Sequence, residues 1–215
     1  MIAIIQYDAG NTASVRNAVE RLGYEVKITA RKDELLAADK IILPGVGAAG
    51  SAMTALKRTG LHEIIPMLTQ PFLGICLGMQ LLCKQSEEDD TIGLGVFNTV
   101  VKKFPAAANV PHTGWNNLYD FKSNLLNGVA ENADVYFVHS YYAELSKETV
   151  ASCHYIHPFA AVVQKENFYG TQFHPEKSGL AGELILKNFL ALPHPNSSLS
   201  SPSPLERVGV RLDKS

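Results

Sequence analysis

The sequence is poor in the features that would tie a chain to a membrane, a nucleic acid or an oxidising compartment. Its 215 residues hold only three cysteines, Cys76, Cys83 and Cys153. That odd, unpaired set argues against a disulfide framework and fits a reducing cytoplasm. No charge dominates: 19 Lys and Arg stand against 21 Asp and Glu, a net of -2. There is no electrostatic footprint for nucleic acid or an anionic membrane. No run approaches the roughly 20 apolar residues of a membrane span. The opening MIAIIQYDAGN lacks the basic n-region and long apolar h-region of a signal peptide. Phosphate loops and internal repeats are also missing. These absences predict a soluble, cytoplasmic protein. What is present is apolar: at 46% hydrophobic, the chain is long enough for one well-buried core and is expected to be a single domain.

Its patterns alternate strand, helix, strand, helix, strand. MIAIIQY, YEVKIT, DKIILPG and PFLGIC read as strands. TASVRNAVERLG, RKDELLAA, AAGSAMTALKRTG and LHEIIPMLT read as helical. Asn11 is placed to cap the first helix and Gly23 to end it. This order predicts an α/β fold with a mainly parallel central sheet flanked by helices. After about Gly93 the strands GVFNTVVKKF, ADVYFVHSYYAE, TVASCHYI, FAAVVQKE and NFYGTQF crowd together, predicting antiparallel additions, and KSGLAGELILKNFLAL closes the chain as a helix. Beyond Leu192 the composition turns to proline and serine. The domain is therefore expected over 1–192 and a disordered tail over 193–215.

The junction GICLGMQLL, Gly74 to Leu82, sets a cysteine where an apolar strand meets a helical pattern that runs through LGMQLLCK. A residue there sits on a very sharp turn at a helix N-terminus. That is the position of the nucleophile in a strand–nucleophile–helix elbow. A buried structural cysteine is the competing explanation.

A catalytic cysteine needs a base, and the base needs a group that orients it. Among seven histidines, His174 stands out in TQFHPEKS, at a strand end where α/β folds place their sites. Glu176 follows two residues later across Pro175, within reach of the imidazole. His154 and His157, in HYIH, lack a completing cysteine or carboxylate cluster, and no metal site is expected. An oxyanion formed on a carboxamide needs backbone donors. The Leu77 N–H at the start of the elbow helix is one source. The turn PGVG, Pro44 to Gly47, is the other, because its glycines permit a backbone that exposes N–H groups.

With PGVG, GICLGMQ and HPE in this order and spacing, the chain resembles the class I glutamine amidotransferases, the triad-type glutaminase domains, from Met1 to about Leu192. DAGNTASVRNA, PHTGWN (Pro111 to Asn116) and YFVHSYY (Tyr136 to Tyr142) carry a closer resemblance to the glutaminase subunits of imidazole glycerol phosphate synthases. The resemblance implies Cys76 as nucleophile, His174 as general base and then acid, and Glu176 as its orienter. It implies an oxyanion hole at Val46, Gly47 and Leu77. It implies glutamine contacts from Gly45, Gln80, Glu88, His139, Ser140 and Tyr141. Asn11, Trp115, Tyr136 and Lys177 match positions that face the synthase partner, a (β/α)8 cyclase subunit. No cofactor is implied. The competing readings are a glutaminase for another synthase (the pyridoxal phosphate or aminodeoxychorismate type), a cysteine peptidase or redox-sensing domain sharing the elbow, and a degenerate binding module.

Overall fold

In the computed structural model, residues 1–7, 11–106 and 109–194 are described. The opening segment's Asp8 to Gly10 and most of the tail, 195–215, lie outside the described residues. The first half runs β1 (Ile2–Ile5), α1 (Thr12–Arg21), β2 (Val26–Thr29), α2 (Lys32–Leu36), β3 (Lys40–Gly45), α3 (Ala49–Arg58), α4 (Leu61–Ile64), β4 (Phe72–Cys76) and α5 (Leu77–Leu82). The second half is mostly strand: β5 (Cys83–Ser86), β6 (Thr91–Ile92), β7 (Phe97–Lys103), β8 (His112–Asn117), β9 (Asp134–His139), β10 (Tyr141–Ala143), β11 (Thr149–Tyr155), β12 (His157–Lys165) and β13 (Phe168–Thr171), closed by α6 (Gly179–Ala191).

A seven-stranded sheet in the order β11-β12-β13-β4-β3-β1-β2 forms the centre. Its strands from β13 to β2 are parallel, whereas β12 and β11 extend one edge in antiparallel fashion. Both faces are covered, which is why the parallel strands are near-continuous apolar runs. Along β3, Ile41 and Leu43 enter one core cluster and Ile42 the other. Truncating such a side chain, as in Leu43→Ala, costs about 2–5 kcal/mol by cavity formation.

Three local expectations are corrected. The elbow helix stops at Leu82, and Cys83 begins β5, where it pairs with Phe97 of β7 and is fully buried. Tertiary pairing overrides the helical pattern of LGMQLLCK. The run ADVYFVHSYYAE is two strands: β9 pairs with β8, while β10 joins the separate sheet β10-β7-β5-β6. Only β11 and β12, of the strands after Gly93 and before β13, extend the central sheet. The strand expected over TVASCHYI ends at Tyr155: Ile156 takes a φ of 66° and turns the chain, so His154 and His157 lie on the two arms of the β11–β12 hairpin.

α1 begins as its sequence suggests. The Asn11 side chain accepts the Ser14 N–H at 3.3 Å, and Gly23 follows the helix with a φ of 87°.

Candidate active site

The carboxyl ends of β3, β4 and β13 lie side by side, with Gly45 paired to Cys76 and Ile75 to Thr171. This register brings PGVG, the elbow and the segment leading to His174 to one edge of the sheet, where parallel α/β folds place their ligands. Cys76 has φ 53° and ψ −112°. A non-glycine residue in that region stores strain of about 1–3 kcal/mol and is held there by its surroundings. Those surroundings require glycine: a Cβ on Gly78 would lie 1.9 Å from the Leu43 carbonyl oxygen. The absence of a side chain lets α5 press down onto β3 and β4, and the sharp turn lifts Cys76 out at their edge.

His174 Nδ1 donates to Glu176 Oε1 at 2.9 Å, with both side chains almost wholly buried. The turn is pinned to β9 from both sides. The His174 N–H donates to the Tyr136 carbonyl at 3.0 Å, while the Ser178 hydroxyl donates to the His174 carbonyl and accepts the Tyr136 N–H. His174 Nε2 has no hydrogen-bond partner among the described residues. Burial opposes a charged imidazole, but the neighbouring Cys76 sulfur and the Glu176 carboxylate outweigh it, and the pKa is raised to about 9.

A cavity of about 340 Å³ opens at this edge and is lined by Val46, Gly47, Cys76, Leu77, Gln80, Glu88, His139, Ser140, Tyr141 and His174. All the residues expected at the oxyanion hole and glutamine pocket therefore converge, except Gly45. That glycine is buried beneath the elbow, where a Cβ would lie 2.5 Å from the Gly78 nitrogen. Its position supports the packing of α5 and does not line the cavity. Half-buried Glu88 accepts the Ala49 N–H at 2.8 Å; burial pushes its carboxyl up, and that bond partly offsets the effect.

Asn11, Trp115, Tyr136 and Lys177 stay outside the cavity and flank the 174–176 turn. Trp115 is 57% exposed and meets Tyr136 edge-on at 6.0 Å. The Lys177 N–H donates to the His174 carbonyl, and Asn11 lines a crevice with His174 and Glu176.

The structure adds Gln172, which sequence reasoning missed. Fully buried, its side-chain nitrogen lies 3.8 Å from Cys76 Sγ, and its Oε1 accepts from Gln80 Nε2 at 3.0 Å. The only available signal was a glutamine two residues before His174, on the same face of an extended segment.

A cysteine on a strained elbow, beside a histidine fixed by a buried carboxylate, has the parts for acyl transfer through a thioester. The match to known proteins fits this geometry. The family model for class I glutamine amidotransferases matches residues 3–192, and the chain belongs to that family. More particular is its likeness to the imidazole glycerol phosphate synthase subunit HisH. The Bacteroides fragilis (strain YCH46) protein is 53% identical over 194 residues, covering 89% of this chain and 99% of that protein. The Escherichia coli (strain K12) protein of the same name is 46% identical with the same coverage. Among solved structures, a glutamine amidotransferase from Thermotoga maritima superposes with a TM-score of 0.59 at 18% identity, covering 88% of this chain and 81% of that one. A likeness that distant bears on the fold alone.

Proposed function

We propose that this chain is the glutaminase subunit of an imidazole glycerol phosphate synthase, supplying ammonia to a cyclase subunit. The observation that carries the reading is the convergence of Cys76 and His174 at one cavity, with Glu176 bonded to the imidazole from behind and imposing a single orientation on it. Near-full-length identity to HisH proteins supports the choice of synthase.

In this reading the imidazolium of His174 stabilises the Cys76 thiolate, which attacks the side-chain amide of glutamine. The oxyanion is met by backbone N–H groups of Leu77 and of the PGVG turn. His174 gives its proton to the departing nitrogen, releasing ammonia and leaving a glutamyl thioester. Water, deprotonated by His174, then hydrolyses the thioester to glutamate and returns the thiolate. Glu176 holds the imidazole in one tautomer throughout. Gln80, Glu88 and the strand segment His139 to Tyr141 hold the substrate.

Ammonia released into water is lost to protonation, so a dry path into the partner is needed. That partner is a (β/α)8 cyclase subunit, which uses the ammonia to form imidazole glycerol phosphate and aminoimidazole carboxamide ribotide. Asn11, exposed Trp115, Tyr136 and Lys177 form its docking face around the catalytic turn. The three unpaired, buried cysteines suit a cytoplasmic enzyme.

The test is steady-state glutamine hydrolysis by the full chain, with and without a cyclase carrying its nucleotide ligand. Stimulation by the imidazole glycerol phosphate synthase cyclase, and not by other synthase partners, is expected. No hydrolysis under any of these conditions overturns the reading.

A further inference from the structure

Two buried histidines pair at the cavity wall: His139 lines the cavity, His112 lies behind it, and the proton transfers of the mechanism use neither ring. His112 Nδ1 is 3.0 Å from His139 Nε2, and His139 Nδ1 is 2.7 Å from the Tyr141 carbonyl oxygen. At the far end His112 Nε2 is 3.3 Å from Asn116 Nδ2. Asn116 is itself fixed in orientation: its Oδ1 accepts the Asn117 N–H at 2.8 Å, and its Nδ2 donates to the His154 carbonyl at 3.0 Å.

These contacts permit one arrangement of protons. A carbonyl oxygen only accepts, so His139 Nδ1 carries the hydrogen. With His139 neutral, its Nε2 accepts, and His112 Nδ1 must donate to it. His112 Nε2 then accepts from Asn116. A third ring proton on the pair would place a donor against a donor, either between the two histidines or at Asn116. The rings cannot turn away to escape this. His112 is stacked between Tyr155 at 4.0 Å and Phe137 at 4.8 Å, and Phe104 and Phe159 pack on His139 at 5.4 and 5.2 Å.

The chain of bonds ends in the cavity wall. The Tyr141 carbonyl accepts from Gln80 Nε2 at 2.9 Å as well as from His139, so both its lone pairs are engaged. Gln80 Nε2 gives its second hydrogen to Gln172 Oε1 at 3.0 Å. Both hydrogens of that amide are therefore held, and only Oε1 of Gln80 remains to receive a hydrogen bond from a ligand.

We propose that His112 is a positioning residue for the glutamine site. Through a neutral histidine pair of fixed direction it holds the Tyr141 carbonyl, which fixes Gln80 with its oxygen as the acceptor offered to substrate. The assignment of the ligand rests on the glutaminase reading above, whereas the proton arrangement does not. Neither His112 nor Asn116 touches the substrate in this account.

The proton arrangement is tested on the 15N-labelled full chain by long-range 1H–15N correlation of the imidazoles at neutral pH. Both His112 and His139 are expected as neutral Nδ1–H tautomers. An Nε2–H tautomer or an imidazolium at either residue overturns the relay. Positioning is tested kinetically with His112→Phe, which keeps the stacked ring but cannot bond. Its KM for glutamine should rise about tenfold with kcat changed less than about threefold, the scale of one buried acceptor left unpaired. Alkylation of Cys76 by iodoacetamide, which needs no glutamine pocket, should keep its wild-type rate. His112→Gln, which retains a donor and an acceptor, should recover most of the loss in KM. An unchanged KM in His112→Phe, or a fall in kcat alone, overturns the positioning role. If the wild-type protein hydrolyses no glutamine even with a cyclase, the functional reading fails, and the tautomers still decide the relay.

Discussion

Gly45 and Cys76 are direct neighbours across β3 and β4, so the oxyanion turn and the nucleophile issue from adjacent strands at the same level. Immediately beyond, Val46 and Gly47 are exposed and line the cavity, and Gly47 has a φ of 96°. The segment that must aim an N–H at the developing charge is thus anchored at Gly45 and open to solvent after it. We expect the isolated chain to hydrolyse glutamine slowly and a ligand-loaded cyclase to accelerate it by up to about 10²–10³, the usual worth of one oxyanion donor. Full turnover by the chain alone, unchanged by the cyclase, would sink the switch and leave the triad standing.

Gly47→Ala tests the same turn from within. A Cβ there meets nothing within 4 Å, so the substitution adds no clash and penalises only the left-handed conformation. Glutaminase kcat should change by more than about tenfold while the melting temperature moves by less than about 4 °C, the equivalent of 1 kcal/mol or so. A variant with wild-type kcat would show that this conformation is dispensable.

Cys76→Ala should abolish glutamine hydrolysis while the cyclase complex still turns over with ammonium salt. Cys83→Ala and Cys153→Ala should retain most activity. Burial raises both thiols, Cys153 to about 12 and Cys83 further, so neither is thiolate at neutral pH. Peptide mapping after treatment with a glutamine-mimicking alkylator is the check, and label on Cys83 or Cys153 in place of Cys76 would contradict the assignment.

Glu176→Gln should lower kcat by about 10²–10⁴ with little change in KM, since the carboxylate acts through the imidazole during proton transfer. Its loss should also bring the His174 pKa down from about 9, because Glu176 is one of the groups that raise it. Titration of His174 by NMR in the two proteins decides this, and an unshifted pKa would remove Glu176 from the role of orienter.

The buried histidine pair carries a pH signature in stability. Burial holds the folded pKa of His112 near 4 and that of His139 near 3, against 6.5 for an ordinary histidine. Between those values the unfolded chain binds more protons than the folded one, so stability rises with pH there and is lost on acidification from about 6.5. His112→Phe should flatten this acid limb in thermal melts between pH 6.5 and 4. Parallel pH profiles for the two proteins would contradict neutral burial of His112.

Deleting residues 195–215 should leave glutaminase activity intact and shift the melting temperature by less than about 2 °C, since that segment has little apolar surface to bury. A larger loss would mean that the tail packs on the domain.

The sequence alone determined the class of fold, the elbow and the order of its three motifs. Those features are local: apolar runs at strand and helix periods, glycines where a Cβ has no room, and a carboxylate two residues from a histidine. A single stretch of chain suffices to specify each of them. Tertiary structure decided the rest. Cys83 leaves the helical pattern because Phe97 offers it a buried strand partner, and Gly45 drops from the pocket because α5 lies on it. Gln172 gains its place against Cys76 and Gln80, and His112 its partner in His139, through contacts between residues far apart in the chain. A hydrogen bond fixes direction only when both ends are in place, so the positions of donors and acceptors around the cavity, and the protonation states they impose, exist only once the strands have been brought together.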